Sequence, residues 1–143
     1  TELKKVNRVI RQALSSDERM LNLILRYVMR SKGKQMRPTL VLLSAKMVGE
    51  VSEATYRAAT LIELMHTATL IHDDVIDNAD TRRGFLTLHK IWKSKLAVLI
   101  GDYLLSRGLL LAVNEDDFNT LRIVSTAVKE VSEGELLQIE KSK

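Results

Sequence analysis

A single proline, Pro38, stands in a chain of 143 residues, and only six glycines accompany it. Folds built from hairpins and tight turns use both residues repeatedly, because they supply the backbone angles that turns require. Their scarcity predicts long helices, and the apolar spacing agrees. Leu3, Val6, Val9, Ile10, Ala13 and Leu14 recur three or four apart, which puts them on one helical face. A second pattern runs over 17–29, with Met20, Leu21, Leu23, Ile24, Tyr27 and Val28 expected inside and Ser16 or Asp17 as the cap. Residues 31–37 read as a basic loop. Pro38 disfavours helical angles at Arg37, so the third helix is expected to start at the proline and end near Val48.

The stretch 52–78 is apolar on more than one face, as expected of a helix buried centrally. A loop is expected over 79–86, followed by helices over 87–93, 95–113 and 116–143. No segment alternates with period two, so strands are not expected. The fold class is all-α, in one domain.

Apolar residues make up 45% and charged residues 28%, ordinary proportions for a soluble globular chain. Cysteine is absent, so neither a disulfide nor a thiolate metal site is available. That suits a reducing cytoplasm. The net charge of +4 comes from bases interleaved with acids, which argues against a nucleic-acid arm and suits small anionic substrates. The sequence opens without a signal-peptide pattern, and no apolar run was expected to reach the ~20 residues of a transmembrane segment.

The strongest chemical signal is His66-Thr-Ala-Thr-Leu-Ile-His72-Asp73-Asp74-Val75-Ile76-Asp77. At about 100° per residue, Asp73 and Asp77 lie about 40° apart, and His66 about 20° from Asp73, two turns earlier. Like charges four apart oppose helix formation, and more so when desolvated. Among Leu70, Ile71, Val75 and Ile76, a divalent cation would resolve that conflict. Oxygen ligands favour Mg²⁺, which is commonly held by one or two carboxylates plus substrate phosphates.

Basic residues flank this helix on both sides in sequence. Gly33-Lys34-Gln35-Met36-Arg37-Pro38 sets two cations at a helix start, where free N–H groups already favour anions. Arg82-Arg83-Gly84 supplies a second pair, in the planar form that suits phosphate oxygens. Other residues attract milder expectations. His72 points about 100° away from Asp73 and is read as a structural hydrogen-bonder. Asp102 is expected to be buried and hydrogen-bonded, His89 to lie at the surface, and Trp92 to pack in a core or interface. Glu135 and Gln138 are candidates to face a cavity.

Three motifs together resemble the trans-isoprenyl (polyprenyl) diphosphate synthases: Gly-Lys-x-x-Arg-Pro at 33–38, His-x₆-Asp-Asp-x-x-Asp at 66–77, and the Arg-Arg-Gly ending at Gly84. Gly101-Asp102-Tyr103-Leu104-Leu105 and Glu133-Gly134-Glu135-Leu136-Leu137-Gln138 are also similar to family segments. The likeness runs from Lys32 onward. It implies an isoprenoid-synthase-like bundle of antiparallel helices around a substrate cavity, of which this chain is the N-terminal half. The family's second aspartate-rich motif, which belongs to the other half, is absent, so the function is expected of the intact protein, and activity of the isolated segment is a separate expectation.

The resemblance also implies head-to-tail condensation of isopentenyl diphosphate with an allylic diphosphate. Asp73, Asp77 and Arg82 are then the catalytic residues. Asp73 and Asp77 hold Mg²⁺, with Asp74 counted among the metal residues as a direct or water-bridged ligand; Arg82 grips the allylic diphosphate, and Lys34, Arg37, His66 and Arg83 bind isopentenyl diphosphate. A homodimer is implied, with residues 96–113 available for helix contacts. Small residues Thr69 and Ala68, with Met65 a turn further from Asp73, suggest room for a medium or long product. Two alternatives are weighed. A terpene cyclase shares the acid helix but needs no second diphosphate site. A noncatalytic helical partner subunit would suit the short chain.

Overall fold

The computed structural model describes residues 1–30, 33 and 35–143. Its helices are α1 Glu2–Leu14, α2 Arg19–Arg30, α3 Met36–Val48, α4 Glu53–Ile76, α5 Leu88–Trp92, α6 Ser94–Asn114 and α7 Phe118–Lys141. The expected all-α fold is present. Between α4 and α5, Thr81–Arg82 (β1) and Phe85–Leu86 (β2) pair as a small antiparallel hairpin, where a loop without strands was expected. Two residues per strand are too few to produce a period-two signal. Arg83 and Gly84 form its turn with φ of 53° and 80°, the positive pair that a tight two-residue hairpin loop demands.

The helix starts follow local chemistry. Thr1 accepts from the Lys4 N–H through its hydroxyl, and Ser52 with Thr55 forms a reciprocal cap for α4. α3 departs from expectation: it begins at Met36, so Arg37 is helical and Pro38 occupies the first turn. The N–H that proline lacks would have had no intrahelical partner there, so the helix loses nothing. Gln35 precedes it in the left-handed region at φ 55°, and its amide exchanges two hydrogen bonds with Asn7 of α1, at 2.6 and 3.4 Å.

α4 is the central element, packed against α6, α3 and α1. Tyr56, Ala59, Thr60, Leu61, Leu64, Ala68 and Ile71 are all buried along it. α6 meets α4 with Ala97, Ile100, Gly101, Leu104, Gly108 and Ala112, a small-residue face that allows close approach. By length and composition α6 is apolar enough to cross a membrane, contrary to the expectation that no run approaches a span. In the bundle, one face of α6 is buried against α4, and a third of its apolar stretch is buried in all. On α2, Ile24 and Val28 are buried as expected and Leu25 is buried as well, but Met20 and Leu23 are 58% and 60% exposed. α7 buries no residue. Arg57 of α4 fastens its start, donating to both oxygens of Asp117 at 2.6 and 3.0 Å.

Candidate active site

Two cavities lie beside the C-terminal half of α4. The first, of about 190 Å³, is lined by His66 and Asp74 of α4, Gln35 and Arg37 at the start of α3, Gly33, and Arg82 and Arg83 of the hairpin. The second is an open cleft between α4 and α7, lined by Asp73, Asp77, Glu135 and Gln138. The helix therefore sorts its polar groups by face. Arg37, Arg82 and Arg83 gather with His66, Glu63 and Asp74 on one side, and the two i,i+4 acids stand on the other.

In the first cavity Arg37 Nη1 lies 2.9 Å from His66 Nε2. A guanidinium only donates, so Nε2 must be the acceptor and the ring proton sits on Nδ1. Burial holds the His66 pKa below its ordinary value, and Arg37, Arg83 and Arg82 push it the same way. His66 is thus a neutral imidazole among fixed positive charges. Arg83 packs onto the Gly33 backbone so closely that a Cβ there would fall 2.0 Å from its Nη1. Lys34, expected in this group, lies outside the described residues.

Asp74 does not join the acid pair. It is buried, faces the first cavity, and accepts from Arg82 Nε at 3.0 Å and Nη2 at 2.7 Å. That pairing holds Arg82 firmly in its charged form. Asp73 is half-buried and Asp77 exposed at the C-cap of α4, so the acid edge is wetter than the buried edge the sequence suggested. Solvent relieves part of the repulsion. Glu135 and Gln138, expected to face a cavity, do line the cleft with Asp73 and Asp77. Among the described residues no three acidic, His or Cys side chains form a ready metal cage. Two carboxylates with neighbouring side-chain oxygens nonetheless fit an ion that keeps its waters and takes further ligands from phosphate.

His72 is structural, as expected: its Nε2 lies 3.1 Å from the Val98 carbonyl and 3.4 Å from Asp102, in space left by Gly101. Asp102 is exposed rather than buried, because that contact is made at the edge of α6. His89 is half-buried and reaches the Ala79 carbonyl. Trp92 packs edge-on against Tyr27, the packing role expected of it. Thr69 is exposed, but Ala68 is buried in the core and so does not line an open path. Sequence reasoning missed Glu63 and Tyr27, both lining the first cavity. Glu63 left a signal, an acid one turn before His66 in an apolar helix. Tyr27 left none, since an aromatic residue on an inward face reads as core.

The chain belongs to the polyprenyl synthetase family, whose profile matches residues 18–143. It is 36% identical over 138 residues to the octaprenyl diphosphate synthase of Escherichia coli (strain K12), covering 96% of this chain and 43% of that protein. It is 38% identical over 136 residues to the all-trans-nonaprenyl-diphosphate synthase (geranyl-diphosphate specific) of Rhodobacter capsulatus, covering 94% and 42%. The polyprenyl synthase from Caulobacter crescentus CB15, crystallised with calcium and isoprenyl diphosphate, superposes with a TM-score of 0.89 at 33% identity. That match covers 96% of this chain and 42% of the other. The chain spans less than half the length of these relatives.

Proposed function

We propose that the intact protein is a prenyltransferase that condenses isopentenyl diphosphate with an allylic diphosphate to give a longer polyprenyl diphosphate. The observation that carries this reading is the sorting of charge across α4, with a basic cavity on one face and an acid cleft on the other. Two diphosphates need two different hosts. One is bound by cations and N–H donors alone, the other through a divalent ion.

In the basic cavity, Arg37 and Arg83, joined by Lys34, hold isopentenyl diphosphate, and neutral His66 offers its Nδ1–H to a phosphate oxygen. Asp73 and Asp77 would hold Mg²⁺, a choice supported by the hard oxygen character of the cleft. When bound, the metal offsets charge that develops on the departing allylic diphosphate. Asp74 orients Arg82, which lines the basic cavity, and the family resemblance rather than the cleft lining assigns it to the allylic diphosphate. Leu70 and Ile71 give the basic cavity an apolar wall.

The basic cavity disfavours a terpene cyclase, which ionises one diphosphate and has no use for a second site. The relatives' names, and small Thr69 on the edge leading to Asp73, support a medium or long product. A cytoplasmic homodimer fits the absence of cysteine and the exposed apolar side chains Val98, Leu99, Leu110 and Val113 of α6. The test is incubation of the intact protein with Mg²⁺, an allylic diphosphate and isopentenyl diphosphate, with products read by mass. A ladder of five-carbon additions is expected. No prenylated product, or product formed only when a second protein is added, contradicts the proposal.

A further inference from the structure

The hairpin that carries Arg82 and Arg83 is too small to hold its own shape, since an isolated two-stranded ribbon is marginal in water even when longer. Its turn also keeps Arg83, a non-glycine residue, in the left-handed region at φ 53°. A backbone in that region persists where its surroundings fix it. The anchors are therefore informative. β1 is tied through Arg82 to Asp74, and the base is tied by the Thr87 N–H to the Asp80 carbonyl at 2.9 Å and the Thr87 hydroxyl to the Ala79 carbonyl at 2.7 Å. From α2, Tyr27 reaches β2. Tyr27 donates its hydroxyl to the Leu86 carbonyl at 2.5 Å, and its ring meets Phe85 edge-on at 6.3 Å. Trp92 backs the same ring at 5.5 Å, also edge-on.

We propose that Tyr27 is a positioning residue for the diphosphate-binding arginines, holding β2 so that Arg83 projects into the basic cavity against Gly33. This rests on the reading of that cavity as a diphosphate site. Tyr27 lines the cavity but is poorly suited to bind the anion itself, because its single O–H already donates to Leu86. Its effect on the ligand passes through the hairpin. The geometry makes α2, which bears no phosphate-binding side chain of its own in this scheme, part of the machinery.

A double-mutant cycle in the intact protein tests this, read as calorimetric affinity for inorganic pyrophosphate without metal, with thermal midpoints recorded alongside. Tyr27→Phe keeps the ring and removes the donor, and affinity should fall about fivefold, the weight of one ordinary hydrogen bond. Arg83→Ala should fall further, and Tyr27→Phe added to Arg83→Ala should weaken binding no more. Phe85→Leu loosens the other contact and should show the same coupling to Arg83. It decides the matter if Tyr27→Phe lowers the midpoint steeply. Additive losses, or unchanged affinity in both Tyr27→Phe and Phe85→Leu, overturn the role given to Tyr27. Normal binding by Arg83→Ala overturns the diphosphate reading beneath it.

Discussion

His66 has two faces: Nε2 accepts from Arg37, and Nδ1 carries the proton. Protonation would break the first contact and add a charge beside three arginines. The sign of the pH effect follows. The folded imidazole titrates below the ordinary value of about 6.5, so as pH falls the unfolded chain takes the proton first. Stability should therefore decline as pH drops below about 6.5 and level off once the folded ring also titrates. His66→Gln should remove that decline, and denaturant midpoints collected across this range will show it. Gly33 gives a second residue-scale expectation. Gly33→Ala must push the Arg83 guanidinium aside, but that guanidinium is the far end of a flexible side chain. Pyrophosphate affinity should fall about tenfold, while the thermal midpoint moves little. These partnerships were not legible in the sequence, which offered Arg37, His66 and Arg83 as separate charges. Their spacing along the chain pointed to one site without saying which cation faces which group.

At the scale of elements, the helices were legible because each buries one periodic face, and the central place of α4 followed from its apolar width. What escaped was short-range or long-range. The hairpin over 81–86 was too short for any period, and the start of α3 turned on a proline tolerated in a first turn. Helical spacing set Asp74 about 100° from Asp73, but the sequence did not show that Arg82 is what it faces. The α4–α6 seam carries a prediction of its own. A Cβ on Gly101 would lie 2.3 Å from His72 Nε2, whereas one on Gly108 would lie 3.0 Å from a Leu61 methyl. Gly101→Ala should cost about 1–3 kcal/mol of overpacking, and Gly108→Ala less, by urea denaturation. Equal costs would mean that His72 can move aside without loss.

Over the whole molecule, charge is divided by a helix. α4 turns His66 and Asp74 toward a basic cavity and Asp73 and Asp77 toward an open acid cleft that α7 borders with Glu135 and Gln138. α7 meanwhile leaves Ile123, Val131, Leu136 and Ile139 largely exposed. The most direct test of the division is calorimetric binding of inorganic pyrophosphate to the intact protein, with and without Mg²⁺. Three forms are compared: unsubstituted, Asp73→Asn with Asp77→Asn, and Arg37→Ala with Arg83→Ala. The account predicts that the aspartate pair removes only the binding that needs metal and the arginine pair chiefly the binding that does not. If both substitutions depress the same component equally, α4 does not separate two diphosphate sites.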